Sequence, residues 1–155
     1  MPRTTRCTEP AGAPYNWVDY IDHGSADFVD LDAWLSSLTI VMRQQVEGDI
    51  DALLALAAEG GIASDDTAVI KPVALFPELW ELRWSYRGRA YGGVREVRQY
   101  HAEPPARPKY LVAVHRHLKD LSGTSREIKS AQEQAMAQGK LRHMAGDASD
   151  WGTRA

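Results

Sequence analysis

The chain has a single cysteine among 155 residues, so neither a disulfide framework nor a cysteine-built zinc site is expected. Cys7 lies in residues 1–14, which lack the apolar core of a signal peptide and are expected to form a disordered arm. No hydrophobic run approaches the ~18 residues that a membrane-spanning helix requires. A phosphate-binding loop is also absent, because Gly88–Gly93 lacks the closing lysine and serine or threonine. These absences favour a domain in a reducing cytoplasm, without a membrane partner.

Acidic and basic residues are unevenly distributed, although the formal net charge is only −3. Residues 1–70 contain three basic and twelve acidic side chains, whereas residues 71–129 contain twelve basic and six acidic ones. Such asymmetry predicts one surface for an anion and another surface for a different partner. The alternative is an acidic N-terminal half that only keeps the fold soluble.

Hydrophobic periodicity predicts an α+β fold. The N-terminal half should contain a strand over residues 15–21, then a helix capped by Asp30 or Asp32. A second helix is expected over residues 46–58. The two helical stretches form either a helical hairpin or one long helix bent near Gly48.

Beyond residue 70 the apolar period changes to two, which predicts a small antiparallel sheet of three to four strands and a C-terminal helix. The strands and the helix are expected at about 79–86, 94–101, 110–117 and 124–139. By simple alternation, one face of the last strand should carry Leu111, Ala113, His115 and His117. Residues 15–140 would then be a single domain, with a loose tail over 141–155.

Four motifs resemble those of the RelE/ParE toxin superfamily, in particular its phage-derived HigB-like branch. They are LWELR at 79–83, an arginine shortly before Tyr100, HRHLKD at 115–120 and TSREI at 124–128. The sequence departs from the pattern of that branch at Asp120, where a lysine is usual, and at Ser125, where a proline is common. The resemblance covers roughly residues 15–140 and implies a RelE-like fold.

The resemblance implies a type II toxin that inhibits translation, a metal-independent endoribonuclease acting on ribosome-bound messenger RNA without a cofactor. It also implies three partners, namely a HigA-like helix-turn-helix antitoxin, messenger RNA and the ribosome. Attack by the RNA 2′-hydroxyl needs proton transfer, which suits histidine with its unperturbed pKa of ~6.5, and phosphate binding, which suits arginine. Two alternatives stay open, a non-catalytic or degenerate interaction module on the same fold and a ParE-like gyrase inhibitor.

The candidate catalytic residues are His115, His117, Arg95, Arg98 and Tyr100. The candidate residues for RNA or phosphate binding are Arg83, Arg87, Arg89, Lys119 and His101. His115 is the first candidate for acid or base catalysis, because the resemblance aligns it with the histidine of the HigB-like motif. Arg95 and Arg98 lie on opposite faces of their strand, and only the strand register decides between them. No metal is expected at His115 and His117, since no carboxylate or cysteine of ligand spacing accompanies them.

Overall fold

The computed structural model describes residues 3–10, 12–121 and 123–152, except for the side chain of Asp120. The elements in chain order are β1 (Asn16–Asp19), α1 (Ala26–Ser37), α2 (Ile40–Ala58), β2 (Ile70–Pro72), β3 (Leu79–Gly88), β4 (Gly93–Ala102), β5 (Tyr110–Asp120) and α3 (Ser125–Ala148). This order confirms the predicted α+β class. Within the described ranges, no helix combines the length and the apolar character needed to cross a bilayer.

The sheet contains five strands in the order β1-β5-β4-β3-β2, more than the three to four expected. β3, β4 and β5 pair antiparallel, as their alternating patterns predict. β1 joins the free edge of β5 in parallel, so the sheet is mixed. β2 is a three-residue edge strand beside β3, where its proline is tolerated because an edge position needs no further donor.

The sheet separates two apolar clusters. On one side, α1 and α2 pack over a core that includes Trp34, Val46, Ile50, Trp84, Val97 and Leu111. On the other side, α3 packs over a core that includes Leu79, Tyr100, Val112, Val114, Ala135 and Met136. In β3, Trp80 and Trp84 lie with the first cluster. Glu81 and Arg83 therefore face α3.

A β-bulge at Val114 changes which face the second half of β5 presents. Tyr100 pairs with His115, but the next residue of β4, His101, pairs with Ala113, so Val114 has no partner in the register. One extra residue reverses the alternation of a strand. His115 therefore faces α3, whereas Ala113 faces α1 and α2. The prediction that these two residues share a face is wrong, because simple alternation cannot foresee a bulge.

The helical region consists of two helices, each capped by a hydroxyl side chain. Ser25 caps α1 by accepting a hydrogen bond from a first-turn N–H, so the predicted caps Asp30 and Asp32 are wrong. Thr39 caps α2 in the same way. α2 continues through Gly48, and the chain leaves helical geometry before it, at Leu38 and Thr39.

Both ends of the described chain pack on the domain, which differs from the predicted disordered arm and loose tail. Arg6–Thr8 form a 3-10 turn in which Cys7 is completely buried. The Arg6 guanidinium donates hydrogen bonds to the main-chain carbonyls of Pro104, Arg107 and Tyr110. α3 extends past the predicted end near residue 139, and Trp151 is buried after it. The parts of the arm and tail at 1–2, 11 and 153–155 lie outside the described residues.

Candidate functional site

Polar side chains form a grid on the α3 side of the sheet. We define the histidine face as Glu81, Arg83, Glu96, Arg98, Tyr100, His115, His117 and Lys119. The register places them opposite one another across β4 and β5 as the pairs Tyr100–His115, Arg98–His117 and Glu96–Lys119. The strand β3 extends the grid with Glu81 opposite Tyr100 and Arg83 opposite Arg98. Most of the predicted site residues are thus brought together.

The two histidines of this face lie deep beneath α3. His115 is 1% exposed and His117 is 4% exposed, and their rings stack with centroids 5.1 Å apart. Burial, together with the neighbouring His115, lowers the pKa of His117 to about 3, so this imidazole is neutral at physiological pH. Neither ring nitrogen of His117 has a hydrogen-bond partner among the described residues.

Asp27, in the first turn of α1, contacts His115 from beside β5. The Asp27 Oδ2 atom lies 3.2 Å from His115 Nε2, although the ring nitrogen is not aligned for a hydrogen bond. The contact with His115 is the main cause that lowers the pKa of Asp27, against the opposing effect of burial. A carboxylate that accepts a hydrogen bond from an imidazole holds the ring in one orientation, and a small rotation of either side chain would align this pair. Sequence reasoning missed Asp27, because no local pattern connects α1 to the end of the sheet.

The register resolves the choice between the two arginines of β4, since Arg98 faces the histidines and Arg95 faces the other way, near the β3–β4 turn. The guanidinium of Arg98 binds Glu96, with an Nη2–Oε2 distance of 2.7 Å. Its Nη1 atom lies 3.4 Å from Oε1 of Glu81, a completely buried carboxylate that also pairs with Arg83. These pairs compensate the cost of burying the charges.

Helix α3 closes the histidine face from above. It comes closest at Gly139, where an added Cβ would lie 2.8 Å from Cδ2 of Tyr100. Burial raises the pKa of Tyr100 far above its usual range, so the phenol keeps its proton. Its hydroxyl has no hydrogen-bond partner within the described part of the chain. At the rim, Lys119 donates a 3.0 Å hydrogen bond to Gln132 of α3, and burial lowers the pKa of Lys119 to about 8.

Three predicted RNA-binding residues lie away from this face. Arg87 and Arg89 are exposed at the β3–β4 turn. His101 is completely buried on the opposite side of the sheet, where Nε2 lies 2.8 Å from Oε2 of Glu103 and 3.6 Å from Sγ of Cys7. Burial lowers the pKa of His101, but Cys7 and Glu103 raise it more, to about 9. Contact of His101 with RNA is not compatible with this position.

No protein-family model matches this chain, and no curated protein or solved structure matches it either. The resemblance to the RelE/ParE superfamily therefore stays a prediction. The chemistry of the histidine face is the basis on which a function can be argued.

Proposed function

We propose that the protein is a metal-independent endoribonuclease, the toxin of a type II toxin–antitoxin pair, with the histidine face as its active site. One observation carries the proposal. Polar atoms of His117, Tyr100 and Arg98 meet on one sheet face, buried and without a hydrogen-bond partner among the described residues. Buried polar atoms are normally satisfied. Buried atoms of titratable and cationic side chains that still have hydrogen-bonding capacity are typical of a site that receives a ligand.

Each residue has a role in cleavage by the 2′-hydroxyl. His115, with the Asp27 carboxylate 3.2 Å from its ring, removes the proton of the 2′-hydroxyl. Arg98 Nη1 and Tyr100 OH donate hydrogen bonds to the phosphate oxygens, on which negative charge increases during the reaction. His117 protonates the leaving 5′-oxygen once water and phosphate reach its ring. Both raise its pKa above the value that burial imposes.

RNA reaches these atoms only when α3 moves away from the sheet, and we expect this movement to begin at the start of the helix. No residue of 125–134 is fully buried, whereas Ala135, Met136 and Gly139 are. The first turns of α3 therefore have few apolar contacts to hold them over Lys119, at the rim of the histidine face. We expect the amide hydrogens of the first turns to exchange faster than those around Met136, which hydrogen-exchange mass spectrometry measures. Equal protection along α3 would contradict opening at its start.

The test of the activity is tightly regulated expression, with growth measurement and primer-extension mapping of cellular messenger RNA. Wild type should arrest growth and produce new 5′ ends inside coding regions, and His115→Gln should reduce cleavage about 10²–10⁴-fold. His143→Gln is the matched control, because this histidine contacts Trp151 and lies outside the histidine face. Soluble, folded protein must be verified for both variants. Arrest without new 5′ ends would contradict cleavage and favour a gyrase inhibitor.

A non-catalytic interaction module is the second candidate, and the burial of the histidine face favours it. Arg83 and Arg98 are already paired with Glu81 and Glu96, so their charges are compensated inside the protein. In such a module, His115 would serve packing alone. Expression would then leave growth unaffected, and His115→Gln would change only stability.

The proposed antitoxin partner fits the exposed surface of α2. Ile40 and Val41 are 76% and 73% exposed at the start of this helix. The acidic Asp51 follows, as does Glu47, which forms an exposed ion pair with Arg43. An apolar patch beside acidic side chains suits a basic amphipathic helix. We expect Val41→Asp to prevent co-purification with a co-expressed HigA-like antitoxin. The matched variant Leu141→Asp, which changes an exposed side chain of α3, should still co-purify with the antitoxin.

A further inference from the structure

A second polar cluster lies on the opposite side of the sheet, and the proposed ribonuclease chemistry does not use it. It consists of Cys7, His101 and Glu103, which we call the Cys7 cluster. Cys7 and His101 are completely buried, and the Glu103 side chain is 9% exposed. One sulfur, one nitrogen and one oxygen atom of these residues lie within 4.8 Å of one another.

The three groups converge on one point. Cys7 Sγ and Glu103 Oε2 both approach Nε2 of His101, at 3.6 and 2.8 Å, and lie 3.9 Å from each other. In a catalytic triad the imidazole instead uses its two nitrogens for two different partners. Here the Nδ1 atom of His101 has no hydrogen-bond partner in the described part of the chain. A completely buried thiol is also out of reach of a substrate, so the geometry does not support a nucleophilic cysteine.

The separations suit a tetrahedral cation instead. Zinc bonds of about 2.3 Å to sulfur and about 2.0–2.2 Å to nitrogen and oxygen place ligand atoms about 3.4–3.6 Å apart. The two distances from Cys7 Sγ, 3.6 and 3.9 Å, are close to this range. The 2.8 Å contact between His101 and Glu103 would lengthen as the ion replaces their shared proton. Thiolate, imidazole and carboxylate together favour zinc over calcium or magnesium, which prefer oxygen ligands alone.

We propose that the Cys7 cluster is a zinc site, in which Cys7, His101 and Glu103 each donate one ligand atom and a water molecule completes the tetrahedron. Thr5 supports the site from outside, because its hydroxyl donates to Oε2 of Glu103 and accepts from the Cys7 N–H. Binding displaces the thiol proton and the proton between His101 and Glu103. A single cysteine suffices here, because the other two ligands are not cysteines.

The ion would fasten the Arg6–Thr8 turn to the end of β4. Cys7 and His101 are 94 residues apart in the chain. An ion bound to both side chains closes a long loop and restricts the unfolded chain. The Arg6 hydrogen bonds to the β4–β5 connection position the same turn without the ion. The ion would therefore join two distant segments of the chain, independently of the histidine face.

Cobalt substitution of the full-length wild type is the decisive experiment. Cys7 is the only cysteine of the chain, so a thiolate-to-cobalt charge-transfer band can come from no other residue. We expect roughly one zinc ion per chain after purification without chelator, and the charge-transfer band after exchange with Co²⁺. Zinc should displace the cobalt and remove the band. Folded wild type that binds Co²⁺ without this band, or binds no metal, would overturn the proposal.

Substitutions at Cys7 and Thr5 distinguish a ligand from a supporting residue. Cys7→Ser should lose the charge-transfer band and most of the zinc, whereas His143→Gln should keep both. Thr5→Val should weaken zinc binding about 10–100-fold, and Thr5→Ser should restore it, because only the hydroxyl is needed. Unchanged zinc content in folded Cys7→Ser would contradict the assignment. If Cys7→Ser fails to fold, the wild-type cobalt spectrum still decides the question.

Discussion

Replacing His117 with glutamine is expected to make the protein less sensitive to acid. Burial lowers the pKa of His117 from 6.5 to about 3, so the unfolded chain binds a proton at a pH where the folded chain does not. The stability that neutral His117 provides is complete above pH 6.5 and is lost as the pH falls towards 3. The loss amounts to between about 1 and 1.5 kcal/mol per pH unit, and to roughly 4–5 kcal/mol over the whole window.

Urea denaturation of wild type and His117→Gln at several pH values between about 7 and 4 measures this difference. Glutamine keeps polar atoms near the positions of the ring nitrogens but does not titrate in this range. The wild type should lose about 1 kcal/mol more per pH unit than the variant. Carboxylates and the other histidines titrate in both chains, so their contribution largely cancels.

Parallel stability curves for the two chains would refute the reasoning. They would mean that His117 binds its proton equally well in the folded and unfolded chains, so that its ring is not desolvated by α3. Nuclear magnetic resonance of the ring protons provides a direct measurement. Their chemical shifts should stay constant on acidification until the protein unfolds.

Two further predictions concern stability and have matched controls. Gly139→Ala should destabilise the protein by about 1–2 kcal/mol, because overpacking against the buried Tyr100 ring outweighs the gain in helix propensity. Gly48→Ala in α2, with open space around it, should instead stabilise by about 1 kcal/mol. Glu81→Gln should cost about 3–5 kcal/mol, because it leaves buried guanidinium charge uncompensated. Glu47→Gln, in an exposed helical ion pair, should change stability by less than about 0.5 kcal/mol. Thermal and urea unfolding measure the stability of all four variants. Equal effects in the two glycine variants would contradict the packing argument, and equal effects in the two glutamate variants would contradict the argument from buried charge.

The periodicity of apolar residues was enough to predict the strands that pair with strands close to them in the chain. The alternation in Leu79–Gly88 places tryptophans on one face and charged side chains on the other, and the structure has the same division. The strand β2 was missed, because three residues are too few to show a period. The parallel pairing of β1 with β5 was also missed, since it joins segments that are far apart in sequence.

The chemistry available to the protein was visible in its sequence, because histidines and arginines are concentrated in one region. Which of them meet was decided by tertiary structure. One inserted residue at Val114 turns His115 towards α3, and the register places Arg98, not Arg95, opposite His117.

The contact of Asp27 with His115 and the Cys7 cluster depend still more on the folded chain. These groups come from segments far apart in sequence. Side-chain types and local periods determine what a segment can become. The packing of the whole chain decides which distant groups share a buried space, because their positions depend on every element between them.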